Sequence, residues 1–273
     1  MPMAADKRKH KGKGGKILLT AAGYDPSGGA GVLRDVQVFG SLGFHGVAIL
    51  TAITTQNTRG VNNVYVLSDR LLEEQYRTLA ADLKFSGIKV GMTGSKDNLR
   101  CLEIILAARK DVPRVVDPIV RSSSGAWLLE KDAAPDLLRM IRKNATVITP
   151  NLDEAGFLVG AEVRTVPEMR SAARTLYDLL RIPCLIKGGH LEGKAINLLF
   201  DGRRFHLFPK RRIAGDVHGT GCTFAAALLG HLALGRNLVR AAELATESTH
   251  RAIADAVRIG RGRFVFRNTR PCP

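Results

Sequence analysis

The sequence predicts a three-layer α/β/α domain on a mostly parallel sheet, and three observations carry that expectation. Short apolar runs alternate with segments of helical spacing along nearly the whole chain. Most of these runs lack polar alternation, as expected of strands buried on both faces. Glycine is abundant, at 28 of 273 residues, whereas aromatic residues make up only 5%. That balance suits tight βα turns better than an aromatic stacking platform for nucleic acid.

Taken in order, strands are expected at 17–22, 47–52, 87–90, 114–116, 146–148 and 184–186. Helices are expected between them, at 29–42, 69–83, 96–109, 131–142, 152–159 and 167–180. In the first helix Val32, Val36, Phe39 and Gly43 keep helical spacing. The stretch 195–209 reads differently: two apolar runs flank Asp201-Gly202, a turn pair favoured in tight hairpins. It is expected to form an antiparallel hairpin at the sheet edge. Two long helices, 220–234 and 239–258, complete the chain. With no linker and no internal repeat, residues 16–258 are expected to form a single domain. A basic arm (1–15) and a basic tail (259–273) flank it.

Those ends account for most of the net charge of +16. Residues 1–16 hold six Lys/Arg against Asp6, and residues 251–273 hold six Arg against Asp255, so each end contributes +5 and the two together 10 of the 16. Solvated termini are one reading, and a patch for nucleic acid or anionic membrane is the other. Cysteines stand singly at 101, 184, 222 and 272 without zinc-type spacing, which fits a reducing cytoplasm. The basic start is followed by no apolar signal core, and no run approaches a membrane span. The Asn144-Ala145-Thr146 sequon therefore carries no weight.

Three glycine-rich turns compete as phosphate sites. Gly188-Gly189-His190-Leu191-Glu192-Gly193-Lys194-Ala195 matches a P-loop except at Ala195, which has no hydroxyl, and a strand follows where a P-loop opens a helix. Gly29-Ala30-Gly31 lacks the third glycine of a dinucleotide fingerprint, because Arg34 stands there. His218-Gly219-Thr220-Gly221-Cys222-Thr223 does open a helix. There, backbone amides and the helix dipole favour an anion, and charge building on a transferred phosphoryl group is stabilised. Cys222 falls in the first turn, where a thiol pKa tends to fall. A plain glycine-rich helix start with a packed cysteine is the competing reading.

Seven ordered motifs settle the comparison: 22–31 (AGYDPSGGAG), 51–58 (TAITTQNT), 89–92 (KVGM), 116–118 (VDP), 149–155 (TPNLDEA), 187–190 (KGGH) and 218–223 (HGTGCT). Together they resemble the phosphomethylpyrimidine (hydroxymethylpyrimidine) kinase family of thiamine biosynthesis, within the ribokinase-like superfamily, over about residues 16–254. The resemblance implies a ribokinase-like fold, ATP and Mg²⁺ as cofactors, a small pyrimidine substrate and a homodimer. It implies that Gly219, Thr220 and Gly221 form an anion hole and that Cys222 is the catalytic base, where most of the superfamily has Asp. Lys187 would reach the nucleotide phosphates. Asn151 and Glu154 would order Mg²⁺ and phosphate, with Asp117 and Glu154 holding the metal through water. Gln56, Gly23, Asp25 and Met92 would line the acceptor pocket, and 25–31 is a candidate grip for the acceptor's own phosphate. Asn151 as a helix cap and Asp25 as a turn residue are the structural alternatives.

One loop departs from the family pattern. In Arg121-Ser122-Ser123-Ser124-Gly125-Ala126-Trp127, Ser123 and Ala126 replace the usual basic and acidic residues, with Arg121 placed to compensate. This leaves open whether both phosphorylations are retained or only that of the monophosphate. Two other readings are a pyridoxal-type kinase and, from a different class, a degenerate kinase fold binding nucleic acid through its basic ends. The complete set Asn151, Glu154, Lys187 and Cys222 speaks against the latter.

Overall fold

A computed structural model describes residues 16–122, 124–189, 191 and 195–267. The central strands are β1 (Ile17–Tyr24), β2 (His45–Asn57), β4 (Phe85–Val90), β5 (Arg114–Val116), β6 (Val147–Ile148) and β7 (Cys184–Ile186), all parallel. They lie within a nine-stranded sheet of order β3-β2-β1-β4-β5-β6-β7-β8-β9, where β3 is Gly60–Val66, β8 is Ala195–Phe200 and β9 is Phe205–Lys210.

Neighbouring residues in each central strand serve opposite helical layers, which is why these strands read as unbroken apolar runs. Leu18, Val115, Val147 and Leu185 point into one core with α1 (Gly31–Ser41), α7 (Thr220–Ala233) and α8 (Leu238–Ala254). Leu19, Val116, Ile148 and Ile186 point into the other, with α2 (Asp69–Asp82), α3 (Lys96–Ala107), α4 (Ala134–Asn144), α5 (Leu152–Val159) and α6 (Val166–Leu180). Helix starts follow their capping residues. Ser68, Ser95 and Asn237 accept first-turn N–H groups, and Thr165/Glu168 closes a capping box on α6. Helix α7 has no side-chain cap and is buried from Cys222 to Gly230, wedged between α1 and α8.

The hairpin expected at 195–209 forms β8 and β9, antiparallel to each other and to β7. The opposite edge carries a second hairpin that the sequence did not announce. Strand β2 continues to Asn57 and turns through Thr58-Arg59 into β3. Its outer half is polar and exposed, with Ile53, Tyr65 and Val66 facing outward, so a search for apolar runs passes over it. The beginning of the expected basic tail also packs against the fold. Val257 pairs with Val265, and Val265 and Phe266 are buried. The arm 1–15 and residues 268–273, Cys272 included, lie outside the described residues.

Candidate active site

The glycine-rich turn 218–223 opens α7, as its spacing predicts. Gly219 has φ 81°, and a Cβ there would lie 1.9 Å from the Gly29 carbonyl oxygen, so both the left-handed backbone and the close approach demand glycine. Thr220 opens the helix, whose first N–H groups have no intrahelical partner. A Cβ at Gly221 would sit 2.9 Å from Lys187 Nζ and 3.6 Å from Asp117 Oδ2. The glycine-rich turn therefore faces a charged cluster.

That cluster comes from the C-terminal ends of three parallel strands, where open α/β sheets bind ligands. Lys187, just past β7, ion-pairs with Asp117, just past β5, and its Nζ is 3.9 Å from Glu154 Oε2. Thr149 donates to the same Asp117 oxygen at 3.0 Å. Burial opposes charge on Lys187, but Asp117 and Glu154 outweigh it and hold the ammonium protonated. Burial raises Glu154 to about 7, with Lys187 pulling the other way. Asn151 and Glu154 form a reciprocal capping box on α5: Glu154 N–H donates to Asn151 Oδ1 at 2.8 Å, and Asn151 N–H donates to Glu154 Oε2 at 2.7 Å. Asn151 thus caps the helix, and Glu154 keeps one carboxylate oxygen beyond the box.

Cys222 corrects one expectation. Its thiol is raised to about 11 by burial; Lys89 pulls it down, while Asp35 and Asp117 push it up. The N–H of Gly31 points to the sulfur and offsets part of this. A helix start favours thiolate, but here desolvation wins. Two groups behind the cysteine escaped the sequence reading. Lys89 and Asp35 form a fully buried ion pair at 2.8 Å, with Thr20 donating to the same Asp35 oxygen at 2.6 Å. Arg34, noted only as the residue that spoils a fingerprint, is buried, donates to Thr223 Oγ1 at 2.9 Å and stacks 4.2 Å from the Phe266 ring centroid. A lysine in a buried strand was the one available signal for the first pair.

The residues that the resemblance assigns to the acceptor lie around β1. A Cβ on Gly23 would be 2.8 Å from Met92 Sδ, so these two residues are neighbours. Asp25 is buried and accepts from Ser27 N–H (2.8 Å), Ser27 Oγ (2.7 Å) and Ala30 N–H (2.9 Å), and pairs with His218 Nε2 at 3.0 Å. Gln56 hydrogen-bonds it as well. Asp25 is thus a turn residue that also joins both sides of the pocket. The 25–31 stretch does not suit a phosphate, because the Asp25 carboxylate already occupies the N–H groups ahead of α1 and would repel a second anion. A small cavity of about 20 Å³ lies among Gln56, Arg59, Ser122, Ser124, His218 and Arg263. Arg121 spends its guanidinium on the Trp127 ring, 4.0 Å away, and Ser123 lies outside the described residues, as do His190 and residues 192–194.

Asp25 yields a stability prediction. Burial alone would raise its carboxyl, but hydrogen bonds from His218, Ser27 and Gln56 hold it down at about 2. A depressed carboxyl adds stability that is present above its unfolded pKa and is lost as pH falls towards 2. Asp25→Asn is expected to lower unfolding free energy by about 2 kcal/mol at pH 7, with the gap shrinking as pH drops below about 4. Urea melts at pH 7 and pH 3 check this, and a gap of the same size at both would refute it.

Among the described residues no three His, Cys, Asp or Glu side chains cluster as a metal cage, and no helix is long and apolar enough to cross a membrane. A family model described as phosphomethylpyrimidine kinase matches residues 25–267. The hydroxymethylpyrimidine/phosphomethylpyrimidine kinase of Aquifex aeolicus is 35% identical over 248 residues, covering 90% of this chain and 97% of its own. The phosphomethylpyrimidine kinase structure from Clostridium difficile superposes with a TM-score of 0.76 at 32% identity, over 87% of this chain and 99% of that one. The pyridoxal kinase of Staphylococcus aureus, in complex with AMP-PCP and pyridoxal, superposes with a TM-score of 0.84 at 30% identity, over 93% of each chain. The ribokinase-like sheet and these matches agree: this chain is a phosphotransferase that belongs to the phosphomethylpyrimidine kinase family.

Proposed function

We propose that this kinase transfers the γ-phosphoryl group of ATP to hydroxymethylpyrimidine and to its monophosphate. The observation that carries the reading is the convergence of Lys187 and Asp117 on Gly221 in the first turn of α7, with Glu154 on the far side of the Lys187 ammonium. Backbone amides of 219–222 and the Lys187 ammonium then meet the charge that builds on the γ-phosphate. Gln56, Gly23 and Met92 hold the heterocycle with its hydroxymethyl group towards Cys222. The acceptor oxygen bonds to the γ-phosphorus as the bond to the β–γ bridging oxygen breaks, ADP departs, and for the alcohol the hydroxyl proton passes to the thiolate form of Cys222. The S. aureus pyridoxal kinase, in complex with AMP-PCP and pyridoxal, supports a site that takes an ATP analogue and a hydroxymethyl heterocycle together.

The donor set fits Mg²⁺ in one way. Two carboxylates that share Lys187 cannot cage the ion, but they suit a hydrated cation carried on nucleotide phosphates. Asp117 and Glu154 would hold it through water, and bound there it would neutralise charge on the β- and γ-phosphates.

The pyridoxal reading keeps a place because the pyridoxal kinase superposes with the higher TM-score. ATP turnover with hydroxymethylpyrimidine, its monophosphate and pyridoxal separates the two. The pyrimidines are expected to give kcat/KM about ten-fold or more above pyridoxal, a margin of roughly 1.4 kcal/mol. A preference for pyridoxal overturns the assignment.

A further inference from the structure

We propose that the C-terminal segment 257–266 is a positioning part of the acceptor site, clasping the tip of the β2–β3 hairpin to the loop that carries the anion turn. The inference rests on the reading of the Gln56 side as the place where the acceptor binds.

The clasp is made at Thr58, two residues beyond Gln56. The Thr58 carbonyl accepts Arg263 N–H at 2.8 Å, and its hydroxyl accepts Gly262 N–H at 3.2 Å. The two backbones are in contact. A Cβ at Gly262 would lie 2.0 Å from Thr58 O, and one at Gly260 would lie 2.6 Å from Thr58 Oγ1. One residue on, the segment grips the other side of the site. The Phe264 carbonyl accepts His218 N–H at 2.9 Å, Phe264 N–H donates to Asp216 O at 3.0 Å, and Arg263 Nε reaches Asp216 Oδ2 at 2.7 Å. His218 immediately precedes Gly219. Two further contacts anchor the segment: the paired backbone bonds of Val257 and Val265, each 2.9 Å, and Phe266 packed under Arg34, which itself holds Thr223 on α7.

Gln56 and the anion turn are therefore joined twice. The inner link is polar and runs through Asp25, which bonds to both Gln56 and His218. The outer link is the clasp. The hairpin extends from the sheet edge with exposed faces at Ile53, Tyr65 and Val66, so β2–β3 pairing alone leaves the position of its tip weakly determined. An acceptor held by Gln56 must present its oxygen to the γ-phosphorus at roughly 3–3.5 Å, and about 1 Å of misplacement can cost 10²-fold in rate. Lys187, Asp117 and Glu154 make none of these clasp contacts, so the nucleotide side is independent of it.

Gly262→Ala is the direct test, because its methyl group cannot fit against Thr58. Kinetics with hydroxymethylpyrimidine are expected to show kcat/KM lowered by about 10–10²-fold, with ADP affinity by calorimetry within about two-fold of wild type. Thr58→Val and Arg263→Met each remove one tether without adding volume, and intermediate losses confined to the acceptor are expected. They carry the test if Gly262→Ala does not fold. Folded variants with unchanged acceptor kinetics overturn the proposal, as does an equal loss of acceptor and ADP binding. If the wild-type protein itself does not phosphorylate the pyrimidine, the functional reading fails and this inference with it.

Discussion

Replacing Lys187 with Met is expected to lower kcat by about 10²–10³-fold, the usual cost of removing one preorganised charge from a transferred oxyanion. The ammonium faces Gly221 and is the cation between Asp117 and Glu154. Its loss acts twice. The γ-phosphate loses a donor, and two buried carboxylates lose their counter-ion. Glu154 already titrates at about 7 with Lys187 pulling it down, so without Lys187 it moves higher. If turnover needs Glu154 ionised, the acid limb of the pH–kcat/KM profile, which reports the free enzyme, lies near 7 in the wild type and shifts to higher pH in Lys187→Met. Steady-state kinetics over pH 6–9, with circular dichroism as a fold control, check both parts. Turnover within three-fold of wild type would remove Lys187 from the phosphate site.

Cys222 makes a sharper prediction, because the two acceptors differ in their need for a base. An alcohol must lose a proton as it attacks, and removing a general base typically costs about 10²–10⁴-fold. A phosphate monoester, with its second pKa near 6, is already largely ionised at pH 7 and has no such proton to lose. Cys222→Ala and Cys222→Ser are therefore expected to cripple phosphorylation of hydroxymethylpyrimidine while sparing that of its monophosphate. With the thiol at about 11, the thiolate fraction at pH 8 is about 10⁻³. Wild-type log kcat/KM for the alcohol should rise with pH across 7–9, and that slope should vanish in both variants. Two variants with wild-type turnover on the alcohol would show that Cys222 only packs. Equal losses on both acceptors would point to a damaged anion turn.

The parts of this site that lie along the chain were legible in the sequence, and those that lie across it were not. Asn151 and Glu154 are three residues apart, so their capping box is written in the local pattern. The pairing of Asp25 with His218 spans 193 residues, that of Arg34 with Thr223 spans 189, and that of Lys89 with Asp35 spans 54. No spacing rule reaches so far. Strand β3 was missed for a different reason: an exposed edge hairpin buries too little on either face to need an apolar pattern.

By itself, the sequence determined the alternation of buried strands and helices and the glycine-rich start of α7, whereas the residues placed opposite that turn were named by the family resemblance. The alternation and the helix start follow from local sterics and from which side chains water excludes. Tertiary structure alone decided the state of Cys222 and the use of the C-terminal segment. A helix start argues for a thiolate, but the α1 and sheet surfaces that bury Cys222 take away the water a thiolate needs, and its pKa rises. A basic C-terminal stretch argues for a tail, but Thr58 and His218 offer it backbone partners that exist only once the sheet has formed.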